Sequence, residues 1–261
     1  VLPQRRHPPD RSAKAVGYSV ILLIAAADAQ QIPLARLAWA LLPVAAVCLL
    51  LWRWGMRTRP TLWATTRMIA QLILVGYVLE WVFTTESPLL VMAIVVGMLG
   101  VASWIAVGPV AEDKWRQFAY AYLSIGLAGG TTLAIVTQAV LSISPWYAPA
   151  RMIPLAGMIF ASAMNSLSLA ADRHRAERTA GRDEELARRT ALQTALLPAT
   201  NSLLAVGLVA LPGMMTGQIL MGTHPLIAVR YQIMVMAMVF GSQGLAAACY
   251  LALQRKPAAA S

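Results

Sequence analysis

The sequence predicts an all-α, polytopic membrane helix bundle of about seven transmembrane helices, with the N-terminus outside and the C-terminus cytoplasmic. Three observations carry this. The chain is 59% hydrophobic and only 12% charged, with a mean hydropathy of +0.63, whereas soluble domains carry about 25% charged residues. Apolar stretches near the ~20 residues that cross a bilayer recur along its length. Lys and Arg gather in the connectors of one side, which the positive-inside rule makes cytoplasmic. These connectors account for the net charge of +10, so the expected surroundings are the lipid bilayer of the cell membrane, and nucleic acid is not an expected partner.

Residues 1–30 form a basic extension. Arg5, Arg6, Arg11 and Lys14 precede an apolar run, residues 15–27, that is too short to span. It ends in Ala27-Asp28-Ala29, which suits a signal peptide; a disordered extension with an interfacial helix fits the same residues. A transmembrane domain is expected over residues 31–256, followed by a tail at 257–261.

Spans are expected at residues 32–51, 63–83, 89–107, 118–141, 152–171, within 195–211 and within 229–253. The first stops at a basic run holding Arg53, Arg57 and Arg59, the third at Lys114 and Arg116, and the last at Arg255 and Lys256. The fourth carries Gly126, Gly129 and Gly130, which let a neighbouring helix approach closely. After the fifth comes the most charged stretch, a cytoplasmic segment at 172–194 expected to continue the fifth helix. It interleaves Arg182, Arg188 and Arg189 with Asp183, Glu184 and Glu185.

Few residues offer chemistry. Cys48 and Cys249 lie in apolar runs and read as small core residues; His7, His174 and His224 show no ligand spacing. No Walker, HExxH, GxSxG or GxGxxG pattern occurs in its required context, and no nucleophile stands with a base, so an enzyme is not expected. Arg67 and Gln71 share one face of the second span, either toward the bundle interior or with Arg67 snorkelling to the interface. Gly157, Ala161 and Asn165 recur every four residues on the fifth span, and Asn201 is a second amide on the sixth. The two amides suit either interhelical hydrogen bonding or contact with cargo.

The connector of the last two spans is the main candidate for a hinge or gate: Pro212, Gly213, Met214, Met215, Thr216 and Gly217. A Pro-Gly break and a Met-Met-Thr-Gly bend at membrane depth should line a cavity, because free N–H and C=O groups are not tolerated against lipid. The thioethers of Met214, Met215 and Met221 suit soft ions as ligands, or apolar gap-filling. No metal site is assigned.

Several segments carry a family resemblance. Arg67-Met-Ile-Ala-Gln71, Ile153-Pro154-Leu-Ala-Gly157, Leu-Pro212-Gly213-Met214-Met215-Thr216-Gly217-Gln218 and Ala228-Val-Arg230-Tyr231-Gln232 resemble the FetB/YbbM family of ABC-transporter permeases. The likeness extends over residues 32–253. Such permeases are linked to iron export in bacteria, and plant relatives to aluminium tolerance. The resemblance implies a permease subunit with no cofactor of its own, paired as a homodimer, with ATP bound by a separate cytoplasmic ABC ATPase. It implies an ATPase-coupling role for the segment at 172–194, with Arg182, Glu184, Glu185 and Arg188 as candidates. Gly157, Asn165, Asn201, Arg67 and Gln71 become pathway candidates. The chain departs from the family in one place: residues 186–198 run on without the Leu-Gly-Ala-Ser/Thr-Pro-like turn that breaks this segment elsewhere. An ATPase-independent membrane transporter, or a membrane-bound partner protein, is therefore the alternative expectation.

Overall fold

The computed structural model describes residues 33–84, 87–108 and 113–254. The basic extension, the tail at 257–261, and Arg255 and Lys256 lie outside them. Among the described residues the structure is helical: α1 (Leu34–Leu37), a 3-10 turn (Ala38–Leu41), α2 (Leu42–Arg53), α3 (Arg59–Phe83), α4 (Pro88–Ala106), α5 (Lys114–Ala134), a π turn (Ile135–Val140), α6 (Pro149–Thr179), α7 (Glu184–Ala205), α8 (Gly213–Leu220) and α9 (Pro225–Leu253). Five of them, α3, α4, α5 with its π turn, α6 and α9, are long and apolar enough to cross a membrane. The chain divides into two compact units, residues 1–76 and 77–261, with the boundary inside α3.

In the first unit the expected first span is interrupted. α1 gives way at Ala38 to a 3-10 turn that runs on into α2, and the apolar helix they form together, Ala38–Arg53, is shorter than a span. The helix starting at Arg59 leaves its apolar side chains, Leu62, Ile69, Leu72 and Ile73 among them, exposed, as a lipid-facing surface requires.

The second unit is organised around α6, which lies against α4, α5, α7 and α9. Its buried residues Met152, Ala156, Ile159, Ala163, Ser166 and Ala170 recur at helical spacing. Where α5 crosses it, Gly129 makes the approach possible: a Cβ there would sit 2.9 Å from Phe160 Cε1 and 3.1 Å from Ile159 Cγ2. The expected close approach on the fourth span is therefore met at Gly129, and Gly126 faces Leu99 in the same way, whereas Gly130 has open space. On α7, Ala187, Ala191, Ala195 and Ala199 are buried four apart. Ala191 and Ala195 meet Ala170 of α6 and Ala247 and Leu251 of α9. Without a hydrophobic force between helices in lipid, such small side chains let dispersion contacts form at short range.

Three boundaries differ from those expected. α6 does not continue through the charged segment but ends at Thr179. The sixth helix starts at Glu184, inside that segment, and stops at Ala205 rather than at 211. The last begins at Pro225 rather than 229, because a proline at the first turn gives up an N–H that would be unpaired there anyway.

Candidate functional site

The break between α7 and α9 is built from its own backbone. Gly207 takes φ +82°, a left-handed conformation that a side chain makes costly. Its N–H donates to Ala210 O at 2.9 Å, while the N–H groups of Leu208, Val209 and Ala210 all reach Ala205 O at 3.2, 2.8 and 3.1 Å. The irregular backbone thus satisfies its amides locally, and Leu208, 90% exposed, and Val209 can face lipid. The N–H groups of Gly207 to Ala210 therefore need no partner from outside this turn.

The Met-Met-Thr-Gly bend is corrected: Met214, Met215, Thr216 and Gly217 lie within helix α8, with Pro212 as N-cap residue and Gly213 as its first residue. Thr216 Oγ1 donates to Pro212 O at 3.1 Å, tying the first turn together. α8 closes at Gly222, φ +87°, where the N–H of Thr223 reaches Gln218 O at 2.9 Å and that of Gly222 reaches Ile219 O at 2.9 Å. This paired 6→1 and 5→2 arrangement caps carbonyls that would otherwise be bare. The left-handed φ values therefore belong to Gly207 and Gly222, which flank the expected hinge.

Beside this break is a cavity of about 530 Å³, walled by Leu203, Val206, Gly207, Pro212 and Met215 from the α7–α8 side and by Gln232, Ile233, Met236 and Phe240 of α9. Pro212 and Met215 do line a cavity, as expected for the connector. The methionines do not converge: Met215 is in the wall together with Met236, whereas Met221 is exposed. Among the described residues no group of three or more His, Cys, Asp or Glu side chains is placed to hold a metal ion.

The pathway candidates are scattered. Arg67 and Gln71 are exposed on α3. Gly157 packs against α4, where a Cβ would lie 3.2 Å from Met98 Cε. Asn165 lines a smaller groove of about 160 Å³ with Ser166, Pro198 and Ser202. Asn201 is exposed outside that groove and makes no hydrogen bond to Asn165. Cys48 and Cys249 are free thiols, half-buried rather than in the core.

The charged segment folds into a helical hairpin. Gly181, φ +76°, ends α6, with Arg182 N–H donating to Glu177 O and Gly181 N–H to Arg178 O, both at 3.1 Å. Two residues later Asp183 caps α7, its Oδ2 accepting from Glu185 N at 3.0 Å. These backbone N–H groups hold the Asp183 carboxyl below its ordinary pKa. The segment is therefore broken, at 180–183, although the stretch from 186 onward runs on as one helix, as read from the sequence.

Glu184 clasps the hairpin. Its Oε1 is 3.1 Å from His174 Nε2 and 3.6 Å from Arg188 Nε, and its Oε2 is 3.1 Å from Arg178 Nε. Glu177 of α6 pairs within its own helix with Arg173 at 2.6 Å and with Arg182 of the turn at 3.8 Å. Of the coupling candidates, Glu184 and Arg188 thus face inward to the hairpin, while Glu185, pairing with Arg189, stays outward at 64% side-chain exposure. Behind the hairpin a polar pocket of about 260 Å³ includes His174, Arg178, Gln117, Tyr250 and Gln254. Tyr250 donates its hydroxyl to Gln117 Oε1 at 2.6 Å, and Gln254 binds the same oxygen. Sequence reasoning passed over Gln117, Tyr250 and Gln254, which are more than 130 residues apart across this bond. Gln232 entered that reasoning only within a family-like segment, with no role of its own, its one signal being a carboxamide in an apolar span.

Comparison with known proteins places this arrangement. The family described as "Uncharacterised protein family (UPF0014)" matches residues 34–257. The chain belongs to this family. A UPF0014 membrane protein of Synechocystis is 36% identical to it over 75% of this chain and 81% of the relative. The probable iron export permease protein FetB of Escherichia coli is 32% identical over 74% of this chain and 80% of its own. The protein ALUMINUM SENSITIVE 3 of Arabidopsis thaliana is 31% identical over 69% and 70%. No solved structure matches the chain significantly. The resemblance noted from the Leu-Pro-Gly-Met-Met-Thr-Gly segment is thereby established, and this UPF0014 protein is a multi-pass helical membrane protein.

Proposed function

We propose that this UPF0014 chain is the permease subunit of an ABC transporter, working as a homodimer and exporting a metal cation such as iron, with ATP hydrolysed on a separate cytoplasmic ATPase. The observation that carries the reading is the charged hairpin at 172–194, whose two helices Glu184 ties together. Such a stiff lever suits transmission of an ATPase's closure, and its many cations suit the cytoplasmic side. The likeness to FetB, a probable iron export permease, supports the cargo. In mechanism, the hairpin moves with the ATPase and rocks α6 and α7, both continuous with it, so that a path opens beside Pro212 to Gly217.

A second reading, a transporter without an ATPase, is favoured by the unbroken course of α7 past residue 186. Metal flux into vesicles holding the permease, with and without its candidate ATPase, separates the two. ATP-dependent metal accumulation with the ATPase is expected; flux independent of ATP would overturn the first reading.

A further inference from the structure

The cavity beside α8 has the wrong chemistry for a bare cation, and one feature says what it would take instead. Its wall is hydrocarbon and thioether from Leu203, Met215, Ile233, Met236 and Phe240, interrupted by Gln232. Gln232 is only 6% exposed, and its Oε1 is buried without a hydrogen-bond partner. No side-chain hydrogen bond reaches its Nε2 among the described residues. A buried carboxamide oxygen left without a donor carries a standing desolvation penalty. Rotation about its terminal bond turns either the acceptor or the donor end toward the cavity. At about 530 Å³, the space lies in the ~300–1,000 Å³ range of small-molecule sites, which are mostly apolar with a few polar groups fixing orientation.

We propose that this cavity binds a neutral amphipathic small molecule, a hydrocarbon body carrying one hydroxyl, with the hydroxyl paired to the Gln232 carboxamide. A hydroxyl both donates and accepts, so it satisfies either end of the amide; the apolar body fills the wall that a hydrated ion would leave unpaired. The site is separate from the charged hairpin and does not require the transport reading to hold.

The test is photolabelling of the full chain in phosphatidylcholine nanodiscs with a diazirine-bearing decanol and the matching decyl fluoride, followed by peptide mapping. The alcohol should label the peptides holding Met215 and Met236 at least about tenfold more than the fluoride does. Gln232→Leu should erase that preference while keeping labelling by both probes, and Ala237→Trp, which puts an indole on another residue of the cavity wall, should abolish labelling there. Equal labelling of the wild type by the two probes, the result expected if lipid chains or a second copy of the chain occupy the cavity, would overturn the proposal. So would labelling that survives Ala237→Trp. If Gln232→Leu fails to fold, the comparison of the two probes on the wild type still decides.

Discussion

His174 of α6 and Glu184 of α7 meet across the turn at 180–183, Nε2 to Oε1 at 3.1 Å. The same carboxylate also holds Arg178 and Arg188, so one acidic side chain ties the end of α6 to the start of α7. Each partly exposed pair is worth about 0.2–1 kcal/mol by itself, but a network fixed on one carboxylate acts together. Replacing Glu184 with Ala should therefore loosen the hairpin, raising tryptic cleavage at Arg182 severalfold with little change in the rest of the bundle. Limited proteolysis reads this directly, and a cleavage rate equal to the wild type would mean that the clasp is not what closes the turn.

Glu185 offers the complementary test, because its carboxylate faces outward. Exchange of Glu185 for Lys leaves the clasp intact and, if the proposed ATPase docks on this hairpin, should weaken its association by roughly tenfold, one lost charge contact at an interface. Co-purification from nanodiscs measures it; unchanged association would locate the coupling surface elsewhere on the hairpin.

At the α5–α6 crossing, Gly129 has no room for a side chain. Gly129→Val should destabilise the bundle by about 1–3 kcal/mol, the usual range for overpacking. Thermal unfolding in detergent should report a lower midpoint, partly restored by adding Phe160→Leu, which removes the ring the new Cβ meets. A wild-type midpoint in the single variant would show that the helices part freely here.

Near the cavity, Gly207 and Gly213 separate two ideas of the hinge. Gly207→Val forces a β-branched residue into a left-handed conformation at a cost of about 1–2 kcal/mol. Gly213, the first residue of α8, has no positive φ, and a Cβ added there would meet nothing within 4 Å. Gly207→Val should reduce flux strongly and Gly213→Val mildly. The reverse order in a flux assay would return the hinge to Pro212 and Gly213.

The Asp183 cap supplies a pH dependence. Its carboxyl pKa is lowered by N–H donors of the first turn of α7, so the cap contributes stability above the ordinary carboxylate range and loses it as pH falls through the depressed value. The protection of the Glu185 amide, taken relative to its intrinsic exchange at each pH, should hold through mild acid and fall only below the usual Asp range. Asp183→Asn, which still accepts the bond, should remove the acid transition.

Much of this protein was legible in its sequence because the relevant forces are local and additive. Apolar composition determines that helices lie in a bilayer, the placement of Lys and Arg argues for their orientation, and the Leu-Pro-Gly-Met-Met-Thr-Gly segment marks the family. The small residue at Gly129 was likewise readable as a close approach. Helix ends were less so: Gly181 breaks the charged segment and Gly207 ends α7 early, each through a left-handed φ that a glycine permits without requiring. The tertiary structure alone decided that Glu184 turns inward while Glu185 turns outward, that Tyr250 reaches Gln117, and that Gln232 stands unpaired in an apolar wall. Those facts depend on how helices distant in sequence are rotated about their axes, and side-chain packing between them, rather than the hydropathy of any one segment, sets that rotation.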